Sequence, residues 1–390
     1  MDKRMFPEPI FPDSPAIDGN DPLRLFLAIQ QGHISSRRDA VVRFGMRSTT
    51  VSEHIAALIE QGLVIESATP RQGRGRPSIS LVVNPHRIVV LVFKVVSQYL
   101  QVVCVNLAGQ ILQQEQMLAP ADGDNSALQL IFKQLHAKVR PAIPAGALLA
   151  GISFSLPGLL DRQNARWVFC ARWPRMKQLA LDGLFADGET PLAITRTMDA
   201  ELIARQVRSP ESTLLLHWGY GVGMAFAKNG VLAEGGYGFG EVGHWRTTLP
   251  EQKLCCCGNT GCLETWTALW ALGPELLQDK FNLQDDEIRS ASLFKTLPLT
   301  TSSTMQRAVS LMGDVVDNLC RLFFPQRIII SGPFMANPGL WAQFYDNFMQ
   351  RCHFIDMPVP ELIAGHRSHE FEIYGAARGL LEQGLLRLIR

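Results

Sequence analysis

The sequence predicts a multidomain α/β protein: a small head of short helices, followed by two larger α/β lobes. Three observations carry this reading. The chain has 390 residues, more than one hydrophobic core ordinarily holds. Hydrophobic residues make up 47% and charged residues only 19%, which suits large packed cores and not a disordered chain. The apolar period also changes along the chain, from helical before residue 62 to alternating and then to buried-strand runs after Pro85.

Charge and hydropathy narrow the function classes. Lys+Arg number 37 and Asp+Glu 36, a net charge of +1. No global basic field exists, so any nucleic-acid contact must come from one local segment. No uninterrupted apolar run reaches the length of about 18 residues that a membrane span needs. Met1–Asn20 carries acids and prolines and lacks an apolar stretch. It reads as a loose leader over 1–20, not as a signal peptide, and the expected location is the cytoplasm.

The head starts at Asp21-Pro22, a capping residue followed by proline at the first helical position. Leu23, Phe26, Leu27 and Ile29 form an apolar stripe that Gly32 stops. Ser36 and Asp39 make a capping-box pattern for a second short helix, in which Val42 and Phe44 are apolar and which Gly45 ends. Ser48 or Thr50 is expected to cap a third. Its Val51, Ile55, Leu58 and Ile59 share one face, and Gly62 closes it. Leu63–Ala68 and Ile79–Val83 then read as strands around a basic tip, Pro70 to Pro77. Three helices plus a hairpin with a basic tip, the second and third helices joined by a tight turn, predict a winged helix-turn-helix over 21–84.

The local charge agrees with that prediction. Between residues 21 and 80, eight arginines (Arg24, Arg37, Arg38, Arg43, Arg47, Arg71, Arg74, Arg76) face five acids (Asp21, Asp39, Glu53, Glu60, Glu66). A helix-turn-helix places its second helix in the major groove, here about Ser48–Gln61. The side chains off its apolar face are Arg47, Ser48, Thr49, Thr50 and Ser52, expected on double-stranded DNA, with Glu53 beside them. In the tip, Arg74-Gly75-Arg76-Pro77 resembles the minor-groove core of an AT-hook, and Arg74 and Arg76 suit the narrow groove of A·T tracts. The bland alternative is a merely solvated basic turn.

Beyond Pro85, Ile88–Val96, Leu100–Val105, Leu149–Phe154, Leu192–Ile194, Thr213–Leu216, Gly223–Ala227 and Arg327–Ser331 are strand-like. Helical stretches such as Ser126–Val139 and Thr304–Phe323 alternate with them, which predicts layered sheets with helices on their faces. Some 300 residues imply two lobes and a cleft. The expected division is a first lobe over 85–198, to which 371–390 returns, and a second over 199–370.

The most specific motif is His244-x10-Cys255-x-Cys257-x4-Cys262. Three thiolates and an imidazole complete a tetrahedral Cys3His set, the closed form of structural Zn2+, with no position left for catalysis. Gly258 and Gly261 let the backbone wrap an ion. Cys256 is one cysteine too many and is expected to face away. Free buried thiols and a disulfide are the competing readings, and a reducing compartment argues against the second.

At this point the chain resembles a known family. Gly240-Glu241-Val242-Gly243-His244, followed by Cys255-x-Cys257-Gly-x-x-Gly-Cys262-Leu-Glu264, is similar to the signature of the ROK family of repressors, open reading frames and sugar kinases. The resemblance spans about residues 20–390. It implies an actin/hexokinase-like two-lobed sugar domain and, as in repressors of the Mlc and NagC type, an N-terminal winged helix-turn-helix. It also implies sugar contacts at Glu241, His244, Glu264 and Asp199, the last matching the general base of the kinases. Carboxylate pairs are apt acceptors for adjacent sugar hydroxyls. Asp199 departs most from the pattern, since Met198 and Glu201 stand where the kinases carry asparagine.

The kinase machinery is missing. The family's Asp-x-Gly-Gly-Thr phosphate loop corresponds here to Lys94-Val95-Val96-Ser97-Gln98, where bulky side chains stand in place of glycines. Gly219-Tyr220-Gly221-Val222-Gly223 has tyrosine for threonine, and Ser331-Gly332-Pro333 replaces a double glycine. Phosphoryl transfer depends on positioning and charge neutralisation at such loops, so no ATP binding and no catalytic residue are expected. The resemblance implies instead a transcriptional regulator, a repressor of carbohydrate genes, with a sugar or sugar-phosphate effector and a homodimeric or homotetrameric state matching two half-sites. A regulator with a decayed pocket, answering to a sugar-transport-system protein, is the alternative.

Overall fold

The computed structural model describes residues 19–69, 78–185, 190–205, 211–352, 355, 357–365 and 368–389. Leader residues 1–18 and the hairpin tip, with Arg74 and Arg76, lie outside them.

The head comprises α1 (Asp21–Gln30), α2 (Arg37–Phe44), α3 (Ser48–Glu60), β1 (Val64–Thr69) and β2 (Ser78–Val83). Capping differs from expectation at two ends. Asn20, not Asp21, caps α1 by accepting the Leu23 N–H at 3.0 Å, which places Pro22 at the second helical position. Helix α3 begins at Ser48, its capping residue is Arg47, and no side chain caps it. Both ends moved by a residue because the capping role belongs to the last non-helical backbone, which residue type alone does not fix. Ser36 does cap α2, accepting from Asp39 N–H at 3.2 Å, while the Asp39 carboxylate accepts from the N–H and hydroxyl of Ser35. Strands β1 and β2 pair antiparallel, Val64 opposite Val83.

Strands β3 (Ile88–Val96), β4 (Tyr99–Asn106) and β5 (Ile111–Leu118), helix α4 (Asn125–Val139), and strands β6 (Leu148–Leu156), β7 (Leu159–Asp161), β8 (Arg166–Phe169), β9 (Leu179–Ala180) and β10 (Leu192–Arg196) follow. Next come α5 (Thr197–Arg205), β11 (Thr213–Trp218), β12 (Val222–Lys228), β13 (Val231–Leu232), α6 (Glu264–Thr267), α7 (Leu269–Leu277), α8 (Glu287–Phe294) and α9 (Ser303–Phe323). Strand β14 (Arg327–Ser331), α10 (Pro338–Arg351), β15 (Glu361–Gly365) and α11 (His369–Leu388) complete the chain.

The two large sheets repeat one plan. One runs β5-β4-β3-β6-β10 and the other β13-β12-β11-β14-β15. In each, an antiparallel meander is joined along its first strand to two further parallel strands. The β3–β4 and β11–β12 turns therefore hold equivalent places in the two halves. Both central strands are largely buried on both faces, β3 along its whole length, which is why they read as apolar runs broken only by Lys94 in β3 and by Thr213 and His217 in β11. Helix α9 buries Met305, Ala308, Val309, Met312, Val315, Val316 and Leu319 on one stripe against the second sheet, each worth about 1–3 kcal/mol of transfer free energy.

One core joins the head to the first sheet. Phe26, Ile55 and Leu63 belong to the same buried cluster as Val90, Ala150, Leu381 and Leu385. Helix α11, last in the chain, packs on β3, β6 and α5. Arg87 adds a clamp, donating to Gln61 O at 2.6 Å and to Gly146 O at 2.7 Å. The head is thus joined to the first sheet by packed side chains.

Candidate functional site

A cavity of about 320 Å³ lies between the two halves. The first half contributes Gly158, the loop after β8 (Phe169–Arg172) and the start of α5. The second contributes the Tyr220–Gly223 turn, Glu241, His244, Cys256, Glu264 and Glu287.

Glu241 and His244 reach it because Gly240 bends the chain at φ +74°, with a side chain excluded by Met224 O at 2.4 Å from a would-be Cβ. A short turn of helix, Val242–His244, follows. The His244 ring looks two ways. Its Nδ1 lies 3.7 Å from Cys255 Sγ and 3.6 Å from Glu264, and its Nε2 lies 3.9 Å from Glu241. Burial pushes the Glu241 carboxyl above its ordinary range, against the opposing pull of Arg196 and His244.

The cysteine loop is closed by its own backbone. Cys255 N–H donates to Asn259 O, Gly258 N–H to Cys255 O, and Gly261 N–H to Lys253 O. Gly258 and Gly261 sit at φ +90° and +74°. The donor atoms of His244, Cys255, Cys257 and Cys262 all lie within 4.8 Å of one another, with Cys257 Sγ and Cys262 Sγ 3.8 Å apart. Zinc–sulfur bonds of about 2.3 Å in a tetrahedron require an S···S edge of roughly 3.8 Å, so the four residues fit the ion. Burial alone would raise the Cys257 thiol, but the Asn259 backbone and amide hydrogen bonds outweigh it and lower its pKa, which favours a thiolate ligand. Cys256 stands outside the four but does not turn away. Its sulfur approaches Glu264 at 3.3 Å, and the residue lines the cavity.

Glu264 opens α6 directly after Cys262-Leu263, so the loop positions it. One oxygen faces the thiols, and the other points at bare Gly221 and Gly243, where a Cβ would lie only 3.4 and 3.2 Å away. Asp199 is not brought together with these groups. It does not line this cavity. Arg196 grips both of its oxygens, at 3.0 and 2.5 Å, and Arg162 adds a third bond at 2.7 Å. Three bonds from two arginines leave the carboxylate 1% exposed. Met198, its neighbour, lines the cavity instead.

The two turns that would cradle nucleotide phosphates are filled by the protein's own charges. Glu287, which opens α8, accepts the Tyr220 N–H and pairs with His217 at 3.1 Å, and His217 in turn meets Ser331 Oγ at 3.1 Å. Its carboxylate lies within 2.8 Å of any Cβ that Gly219 could carry. At the equivalent turn, Lys94 is fully buried. It pairs with Glu372 at 2.8 Å and meets His369 Nδ1 at 2.9 Å, while His369 Nε2 meets Asp286 at 2.6 Å. Ser97, at φ +53°, donates to Leu283 O. These contacts tie β3 and α11 to the entry of α8. Sequence reasoning missed His217 and Glu287, which are partners 70 positions apart, and Arg196, which holds Asp199 only three positions away.

On the head, Arg47, Ser48, Thr49, Ser52 and Glu53 are exposed together on the first turns of α3, and Thr50 is half-buried. Arg37 is drawn into a pair with Glu66 on β1 at 2.6 Å.

The fold and the cleft define a class: a two-lobed protein of sugar-kinase architecture that carries a three-helix head with a two-stranded wing. The ROK family model matches residues 96–379, and the chain belongs to that family. It is 25% identical over 333 residues to the xylose repressor of Caldicellulosiruptor bescii, spanning 79% of this chain and 82% of that one. It is 23% identical over 305 residues to the DNA-binding transcriptional repressor Mlc of Escherichia coli, spanning 73% of each. Among solved structures, a ROK family transcriptional regulator described as a homologue of E. coli Mlc superposes with a TM-score of 0.68 at 20% identity, covering 95% of this chain and 98% of that one. The ROK hexokinase of Thermus thermophilus gives 0.56 at 20% identity, covering 74% and 97%. Among the described residues no helix is long and apolar enough to cross a membrane.

Proposed function

We propose that this chain is a cytoplasmic transcriptional repressor of carbohydrate genes, that its cleft binds a sugar effector, and that it has no kinase activity. The observation that carries the reading is the asymmetry of the cleft. Glu241, His244 and Glu264 face an open cavity, whereas both phosphate turns are occupied by Glu287 and by Lys94 with its partners. ATP phosphates would have to displace a buried carboxylate of like charge. The repressor names of its relatives support the same reading.

In this reading residues 21–84 bind an operator through Arg47, Ser48, Thr49, Thr50 and Ser52, with Arg74 and Arg76 on the wing. The lobes are 85–198 with 371–390, and 199–370. His244, Cys255, Cys257 and Cys262 hold a structural zinc ion, which braces the loop from which Glu264 projects. His244 would be one of the ligands of that ion, and its Nε2 lies 3.9 Å from Glu241 beside the cavity. Hydroxyls of the ring donate to Glu241 and Glu264. Closure of the lobes on the sugar moves α11 and the shared core, and so α3. Two half-sites require two heads, hence a dimer or tetramer. For this to be allosteric, sugar affinity must differ between the DNA-bound and released forms.

The pairing of Asp199 with two arginines favours one second reading, a decayed pocket in a regulator that answers to a transport-system protein. Selection of genomic fragments on the purified protein, with and without a sugar panel, tests both. A palindrome released by one sugar is the expected result. A palindrome indifferent to every sugar supports the second reading, and no enrichment at all sinks the repressor.

A further inference from the structure

Among the described residues, the cavity wall carries one arginine without a carboxylate bonded to it, Arg172. Arg172 comes from the loop after β8 in the first half, and its guanidinium carbon lies 3.8 Å from the ring centroid of Tyr220 in the second. Its Nη1 is buried and has no hydrogen-bond partner among the described residues. The other arginine on the cavity wall differs. Arg196 spends its fork on both oxygens of Asp199 and on Met224 O. Asp286, an acid that bears on Arg172 electrostatically, is itself bonded to His369, and Glu287 is bonded to His217 and the Tyr220 N–H.

A buried charge without a counter-charge is costly, and such groups are ordinarily paired. Stacking on an aromatic ring returns only part of that cost and leaves the in-plane N–H donors open. Desolvation accordingly presses the Arg172 pKa downward. A planar fork of donors matches phosphate or carboxylate oxygens two at a time. Glu241 and Glu264, by contrast, accept from hydroxyls and repel anions. The cavity thus offers acceptors for a polyol at the metal loop and a donor fork for an anion at the β8 loop.

Resting on the sugar-effector reading, we propose that the effector is an anionic carbohydrate, a hydroxylated ring carrying one phosphate or carboxylate group, and that Arg172 selects it. The stack of Arg172 on Tyr220 spans the two halves, so an anion bound there bears directly on their closure.

The test is calorimetric titration of the full-length protein with matched sets: hexoses and pentoses, their phosphate esters, and the corresponding uronic acids. At least one anionic member is expected to bind about tenfold or more tightly than its neutral parent, the scale of a charge-assisted bidentate contact. Whether the phosphate or the uronate arm shows it identifies the anion. R172Q is expected to bring the anionic-to-neutral ratio close to one, and Arg172→Lys, which keeps the charge but loses the fork, to leave an intermediate ratio. Thermal melts and operator binding check that both variants fold. A neutral sugar that binds as tightly as its anionic derivatives overturns the anion proposal and leaves the sugar reading standing, as does a ratio that R172Q leaves intact. Failure of every member of the panel to bind overturns both.

Discussion

The two sides of the cleft are built from the same parts and finished differently. On the metal-loop side, Glu241, His244 and Glu264 keep atoms facing the cavity. On the side of the two phosphate turns, the polar atoms close on one another: Glu287 with His217 and the Tyr220 N–H, Lys94 with Glu372 and His369. Both are polar, so polarity does not distinguish a binding site from a filled one. What distinguishes them is whether hydrogen-bonding capacity is left over for a ligand. The sugar-kinase fold is kept, and on the phosphate-turn side of the cleft the protein's own side chains bond to one another.

The difference can be broken from either side. The largest expected effect is on the metal loop. Cys257→Ser, or removal of the ion by a chelator, costs several kcal/mol of stability, since structural zinc contributes about 10–16 kcal/mol in small domains. Metal analysis is expected to find one zinc per chain in the native protein and to lose it in the variant, and sugar binding is expected to go with it. On the filled side, Lys94→Met leaves Glu372 buried without its partner and costs about 3–5 kcal/mol by urea denaturation. The double variant Lys94→Met with Glu372→Leu recovers most of that loss, because an apolar pair replaces an ion pair at little cost.

Smaller effects sharpen the contrast. Glu287→Ala leaves the Tyr220 N–H and His217 without their acceptor and costs about 1–3 kcal/mol. Equilibrium dialysis with labelled ATP is expected to show no nucleotide binding in the native protein. Outside the cleft, Asp39 is the reference for an ordinary surface carboxylate. The Ser35 N–H, together with the Ser36 and Ser35 hydroxyls, holds it below its usual value. Its contribution is therefore present above about pH 4 and is lost as pH falls through its folded-state value. Asp39→Asn flattens that acid limb by only about a few tenths of a kcal/mol, given solvent screening.

What could be read from the sequence was local. The cysteine loop was legible because its residues fall within nineteen positions, His244 to Cys262, and the head because α1 and α3 each carry an apolar stripe, whereas in α2 Val42 is exposed. Strand β5 was missed, since its exposed edge reads Gln113-Gln114-Glu115-Gln116 and has no apolar alternation to announce it. The repeated sheet plan was invisible because it lives in pairing and not in composition. Cleft residues split in the same way. Lys94 stood out as a departure from a glycine loop, but His369, 275 positions further on, could not be assigned to it. Glu287 carries no local signal, although it accepts the Tyr220 N–H from 67 positions away. Asp199 matches a sugar contact in the family resemblance, and nothing in its local sequence shows that Arg162 and Arg196 both bond its carboxylate.

The central claim, a cleft that senses sugar without transferring phosphate, is tested most directly on a fluorescently labelled operator fragment. Release is followed by anisotropy across the panel of neutral and anionic sugars, with and without magnesium ATP, and ADP is assayed in the same wells. The account predicts that one sugar releases the DNA, that ATP leaves the midpoint unchanged, and that no ADP forms. Release that depends on ATP, or ADP production with any sugar, would contradict it.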